Sequence, residues 1–133
     1  MASVEELEKI CQKIIKLDPL MRSARIINSR GHLTAGGMKK GMLSLESQKQ
    51  DEMMFMELAL RVRMRHEFDK EFGEVHFSMS YRDKVIVMSF PLANDDVLLV
   101  SSEKESDFSK NAFNILKIIA PLKKSVLGTF RIV

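Results

Sequence analysis

The chain has 133 residues, 45% hydrophobic and 29% charged, with a net charge of +3. That is the length of one ordinary domain and the composition of a folded globular one, which excludes an intrinsically disordered protein. The mild charge lacks the dense basic stripe of a nucleic-acid binder, so no nucleic-acid partner is expected.

A single cysteine, Cys11, excludes an intrachain disulfide and fits a reducing, cytoplasmic setting. Its place among apolar helix positions reads as a small buried hydrophobe. The opening Met-Ala-Ser-Val-Glu-Glu has no basic-then-apolar leader. The longest apolar runs, 85–88 and 97–100, are too short to span a bilayer, so no membrane span is expected.

In chain order, Ser3 with Glu6 forms a capping box. Val4, Leu7, Ile10, Cys11, Ile14 and Ile15 then recur at helical spacing until Pro19. Residues 21–28 and 33–35 predict a hairpin, with Gly31 supplying the positive φ of its turn. Arg22 and Arg25 interrupt the apolar pattern of the first of these strands, and alternation puts the two apart. Residues 38–46 connect to a helix opened by a second capping box, Ser47 with Gln50, and closed near Phe72 and Gly73.

That long helix, 47–70, is the most informative segment. Met53, Met56, Leu60 and Met64 gather on one stripe, and Met54, Phe55, Leu58 and Val62 on another roughly 170° away. One stripe suffices for a helix lying on a monomer's core; two opposed stripes call for a second object to pack against. Phe55, Leu58 and Val62 have the shape expected against a sheet, whereas flexible methionines suit an adaptable contact surface.

Beyond it the period changes to two. Val75, Phe77, Met79 and Tyr81 alternate with His76, Ser78 and Ser80. Arg82 and Asp83 turn the chain into an apolar strand at 84–90, and a loop at 91–96 leads to 97–100, apolar on both faces and therefore covered on both. Phe108, Ala112, Ile115, Leu116 and Ile119 mark a last helix, capped by Ser106 or Asp107 and ended or bent by Pro121. The class is α/β: a single domain over 1–125, ordered α-β-β-α-β-β-β-α, with a five-stranded, mostly antiparallel sheet and helices on both faces. An apolar tail, 126–133, adds a strand to a sheet edge, its own or a neighbour's, or docks on the core.

Few residues form a chemical constellation. Gly31, Gly36, Gly37 and Gly41 with Lys39 and Lys40 miss the spacing of a phosphate loop and read as turn glycines. His32, His66 and His76 lack paired metal-ligand spacing. Asp95 and Asp96 are adjacent in a loop and read as turn residues. No acid, base and nucleophile are matched, so neither enzymatic activity nor a cofactor is expected. Arg61, Arg63 and Arg65 alternate along the long helix and point in different directions.

The run Ala24-Arg25-Ile26-Ile27-Asn28 before Gly31, the long helix from Ser47, Phe72-Gly73-Glu74-Val75, and Tyr81-Arg82-Asp83-Lys84-Val85 leading to Pro91-Leu92 and Val97-Leu98-Leu99-Val100 resemble the roadblock/dynein light-chain family, within the longin and profilin-like group, over residues 3–122. This resemblance implies a sheet of order 2-1-5-4-3, with the long helix on one face and the other two helices on the opposite face. It also implies twofold dimers formed through the long helix and the third strand, in proteins that serve as scaffolds, motor subunits or small-GTPase regulators and generally bind no nucleotide. The methionine-rich helix and the tail depart from the usual pattern.

The expected function is thus a non-enzymatic homodimeric interaction module, a scaffold or small-GTPase regulator, with Met53, Met56, Leu60, Met64, Ser78 and Ser80 at the dimer interface. The competing reading is a small-molecule sensor with a pocket between helix and sheet, on which His76, Ser78 or Tyr81 would converge.

Overall fold

The computed structural model describes residues 2–123; the tail at 126–133 lies outside them. Helix α1 (Val4–Ile15) starts where the Ser3 hydroxyl accepts the Glu6 N–H at 3.1 Å, and it buries Cys11, Ile14 and Ile15. Burial pushes the Cys11 thiol up to about 12, so it remains protonated and behaves as the small hydrophobe expected.

Strands β1 (Met21–Ile27) and β2 (Leu33–Met38) form the hairpin, and Gly31 takes φ +80° in its turn. Gly36 and Gly37 are not the turn residues that their type led us to expect. They extend β2 opposite Arg25 and Ala24. At Gly36, φ is +85° and an added Cβ would stand 2.1 Å from the Ala24 carbonyl oxygen and 2.8 Å from Cys11 Sγ. A glycine is what lets α1 lie against this hairpin.

Helix α2 (Gln48–Arg65) opens with both halves of the expected capping box. It stops short of the predicted end. A 3₁₀ turn, His66–Phe68, interrupts it, and one further helical turn, α3 (Asp69–Phe72), follows. Gly73 closes α3 with φ +81° and ψ 170°, a positive φ as expected but with extended rather than left-handed helical ψ.

Strand β3 (Ser78–Tyr81) pairs with β4 (Val85–Pro91) and is shorter than the predicted 75–81. With Ser78 opposite Ser89, residue 76 would face Pro91, which has no N–H to donate, so the ladder cannot extend. Strand β5 (Val97–Glu103) outruns the predicted 97–100, because Ser101 and Ser102 continue the pairing with both β1 and β4. Helix α4 (Phe108–Ile119) is capped by Asp107, whose carboxylate accepts the Lys110 N–H. Ser106 instead shares a hydrogen bond with Ser102. Pro121 lies in the 3₁₀ turn Ala120–Lys123 that ends the described chain.

The sheet order is β2-β1-β5-β4-β3, and every neighbouring pair is antiparallel. Helices α1 and α4 cover one face, packing Ile14, Ala112 and Ile115 on Ile26, Met88, Phe90, Leu98 and Val100. Helix α2 covers the other, packing Phe55, Leu58 and Val62 on Ile27, Val97 and Leu99. Strand β5 is therefore apolar on both faces because a helix lies on each. No helix among the described residues is long and apolar enough to cross a membrane.

The two strand glycines make a sharp test. Gly36→Ala should lower folding stability by more than about 3 kcal/mol, since its methyl meets backbone at a strained φ. Gly37→Ala, with no atom within 4 Å of the added carbon, should change it by under about 1 kcal/mol. Urea denaturation of the two variants gives the comparison.

Candidate functional site

Helix α2 crosses the sheet from β1, where Asp51 meets Arg25, to β3, where Arg65 meets Ser78. Its sheet side holds the buried Phe55, Leu58, Ala59 and Val62, and the half-buried Met54 packs with them. Its other side carries Met53, Met56 and Met64, each 64% exposed, and Leu60, 52% exposed. The sequence separates the two stripes as the structure does. Two further large apolar residues that the sequence analysis did not single out are exposed just past the end of α2. Phe68 and Phe72 stack with ring centroids 5.9 Å apart and are largely exposed. In the sequence they continue the four-residue spacing of Leu60 and Met64.

Ser78 and Ser80 lie on the α2 side of the sheet, opposite Ser89 and Val87, on a strand whose outer edge is unpaired among the described residues. Ser78 Oγ accepts a hydrogen bond from Arg65 Nη1 at 2.7 Å, while Ser80 is exposed. The exposed apolar stripe and a free strand edge thus belong to one side of the molecule. Tyr81 lies on the opposite face, against Phe108 and Lys104. His76 contacts Lys123. His76, Ser78 and Tyr81 therefore do not converge, because strand alternation and the early end of β3 send them apart. Arg61 pairs with Glu57 and Arg65 with Ser78, in keeping with their divergent directions.

The anchor of α2 is a residue that the sequence reading treated as an interruption. Arg25 is only 5% exposed and projects from β1 beneath the helix. It donates to Asp51 at 3.1 Å and to Glu46 at 3.3 Å, and its guanidinium sits 5.2 Å from the Phe55 ring centre. Arg22 was expected to stand apart from it. A β-bulge between Met21 and Ser23 breaks the alternation, and Arg22 bonds Glu103 and the Leu43 carbonyl. Both arginines thus hold the connector that leads into α2.

The two carboxyls around Arg25 are shifted in opposite directions. Burial, followed by the hydrogen bond to Glu46, raises the Asp51 carboxyl to about 6. Burial also pushes Glu46 upward, but the hydrogen bond from Asp51 and the charge of Arg25 override it and hold Glu46 below the usual range. At the far end of α2, His66 bonds Asp69 at 2.8 Å and Asp95 at 3.0 Å. The Asp69 hydrogen bond chiefly raises its pKa against a smaller effect of burial, with Asp95 assisting. Asn94 and Asp95 both take positive φ there, so Asp95 is a turn residue that also latches the helix end.

A family model described as a family of unknown function (DUF6659) matches residues 1–128. The chain belongs to that family. No curated protein matches it. Among solved structures it is similar to a Roadblock/LC7 domain from Streptomyces avermitilis, at 12% identity and a TM-score of 0.64, covering 86% of this chain and 94% of that one. It is also similar to the gliding protein MglB from Thermus thermophilus, at 11% identity and a TM-score of 0.71, covering 92% of each chain. An MglB with a tetrameric arrangement matches at 9% identity and a TM-score of 0.72, covering 92% of this chain and 91% of that one. The fold is that of the Roadblock/LC7 domain.

The latches at either end of α2 have a defined pH signature. Asp51, raised in the fold, stabilises fully below its unfolded pKa of 3.8 and loses that contribution as pH rises through about 6. Glu46, depressed, stabilises above its unfolded value of 4.5 and loses it on acidification. His66, raised, stabilises below its unfolded 6.5 and loses it as pH climbs past the folded value. Asp96, raised mainly by burial, adds a fall of the same sign as Asp51. Thermal midpoints measured from pH 5 to pH 8 should therefore decline with rising pH. Asp51→Asn should flatten the part near pH 6 and leave the His66 part above it. An unchanged profile in that variant would show that Asp51 is not raised in the fold.

Proposed function

We propose that this protein is a non-enzymatic interaction module that forms a homodimer through Met53, Met56, Leu60 and Met64 of α2 and the Ser78–Tyr81 edge of β3, and that the dimer serves as a scaffold or regulator for a small GTPase. The observation that carries the reading is the outer stripe of α2. Four large apolar side chains in sequence register stand in water on a helix whose other side is already packed. Burying each fully would contribute about 1.5–3 kcal/mol. A strand with open backbone N–H and C=O groups at the sheet edge supports a twofold arrangement, since the same edge on a second copy can pair with it. The scaffold or GTPase role draws on the roadblock resemblance, and assembly on the tetrameric arrangement of one similar MglB.

Multi-angle light scattering should give a mass of about twice the 15.2 kDa chain at high micromolar concentration. Leu60→Glu or Met56→Glu should weaken self-association by roughly a hundredfold or more, because each places a carboxylate in a contact that would have to desolvate it. Both side chains are solvated in the single chain, so its melting temperature should barely move. A monomeric unmodified chain would overturn the reading. Crosslinked purification from native extract should recover a small GTPase with the dimer; its absence would remove the GTPase role and leave the dimer standing.

A further inference from the structure

Four large apolar side chains outside α2 stand in water at its two ends. Leu43 and Leu45, in the connector before the helix, are 87% and 61% exposed, and Phe68 and Phe72, after it, are 54% and 83% exposed. The exposed stripe between them is centred near residue 58. Met53 and Met64 flank that point at almost equal distances, as do Met56 and Leu60. Leu45 and Phe72 share the same midpoint, each roughly 20 Å of chain away from it.

The exposed charges along the helix have that centre too. Two antiparallel helices related by a twofold axis meet with like flanks together, and residues equidistant from the axis face one another across it. At about 100° per residue, Lys49, Glu52, Arg63 and Glu67 lie on one flank of the stripe, and Glu57 and Arg61 on the other. An axis near residue 58 therefore sets Lys49 against Glu67 of a second copy and Glu52 against Arg63. It also sets Glu57 and Arg61, already paired within the helix, against their own copies in reverse order. All three juxtapositions are of opposite sign. Lys70 falls nearest Ser47, and Glu71 nearest Glu46, whose carboxylate is already engaged by Arg25. Arg65 is turned to Ser78, and His66 to Asp69 and Asp95, so neither enters the contact.

The geometry points to a second copy seated antiparallel on α2 about an axis near residue 58, with Leu45 of each copy against Phe72 of the other and the pairs Lys49–Glu67, Glu52–Arg63 and Glu57–Arg61 fixing the register. This rests on the homodimer reading above and uses its α2 half. It brings the connector and α3 into the contact, and it gives the charges beside the stripe a task that apolar side chains cannot perform. Methionines tolerate a slide of one helix along the other; the charges do not. Moving the axis back to residue 56 would oppose Lys49 and Arg63, and moving it forward to 59 or 60 would oppose Glu52 with Glu67 and Lys49 with Lys70.

Charge reversal and crosslinking of the full chain test the register. Glu52→Arg and Arg63→Glu should each weaken self-association about tenfold in sedimentation, and the two combined in one chain should restore it to within about threefold. These residues are roughly 16 Å apart along one helix, so the recovery can act only between chains. All are exposed, so melting temperatures should not move. A short bis-maleimide should join a Leu45→Cys chain to a Phe72→Cys chain after the two are mixed, and should join neither variant to itself. Cys11 is wholly buried and does not compete for the reagent. A double variant as weak as the single ones overturns the register. So does a mixture that gives no covalent dimer, or a variant that joins to itself as readily as to the other. In those cases an unmodified chain that sediments as a dimer keeps the homodimer reading. An unmodified chain that stays monomeric at every concentration overturns both.

Discussion

The structure depends on how α2 is held to the sheet. Phe55, Leu58 and Val62 take the apolar ground offered by Ile27, Val97 and Leu99. Arg25 fixes the start of the helix through Asp51 and Glu46, and His66 fixes its end through Asp95. A helix bound along one side and latched at both ends cannot roll to bury its other side. The stripe from Met53 to Met64 therefore stays in water, whatever its hydrophobicity. The exposed apolar stripe is a consequence of the way the core is closed.

The same constraint accounts for the polar network. A guanidinium that is 5% exposed in a sheet interior would be costly if unpaired. The carboxyls of Asp51 and Glu46 and the face of Phe55 surround most of it. Its Nε finds no partner among the described residues, so the arrangement is not one of maximal stability. What it provides is position: β1, the connector and α2 all meet at this one side chain. On the opposite face of the sheet the packing of α1 and α4 is almost wholly apolar. Gly36 is the point where close approach excludes any side chain. The buried ion pairs thus lie on the α2 face, whereas the packing beneath α1 and α4 is apolar.

Legibility from sequence followed the physics of periodicity. The two stripes of α2 could be read because eight apolar residues keep to a 3.6-residue period over three turns, and the structure separates them into buried and exposed sets. Ser78 and Ser80 were placed on one side of β3 by simple alternation. The errors fell where a local rule meets a tertiary one. Glycine type suggested turns at Gly36 and Gly37, but the packing of α1 on the hairpin set their place in β2. Alternation separated Arg22 from Arg25, and a bulge brought both to the connector. Phe68 and Phe72 keep the four-residue spacing of Leu60 and Met64, so their signal was present in the sequence and went unread.

What the amino-acid sequence determined by itself was the succession of elements, the class of fold and the division of the long helix into two apolar sides. These follow from capping residues and hydrophobic periods, which act over a few residues. Only the tertiary structure decided which side of α2 faces the sheet, that Arg25 is its buried anchor, and that His66 is latched to a loop 29 residues away. Those outcomes depend on contacts between residues distant along the chain, and a local pattern carries no information about which partners will meet.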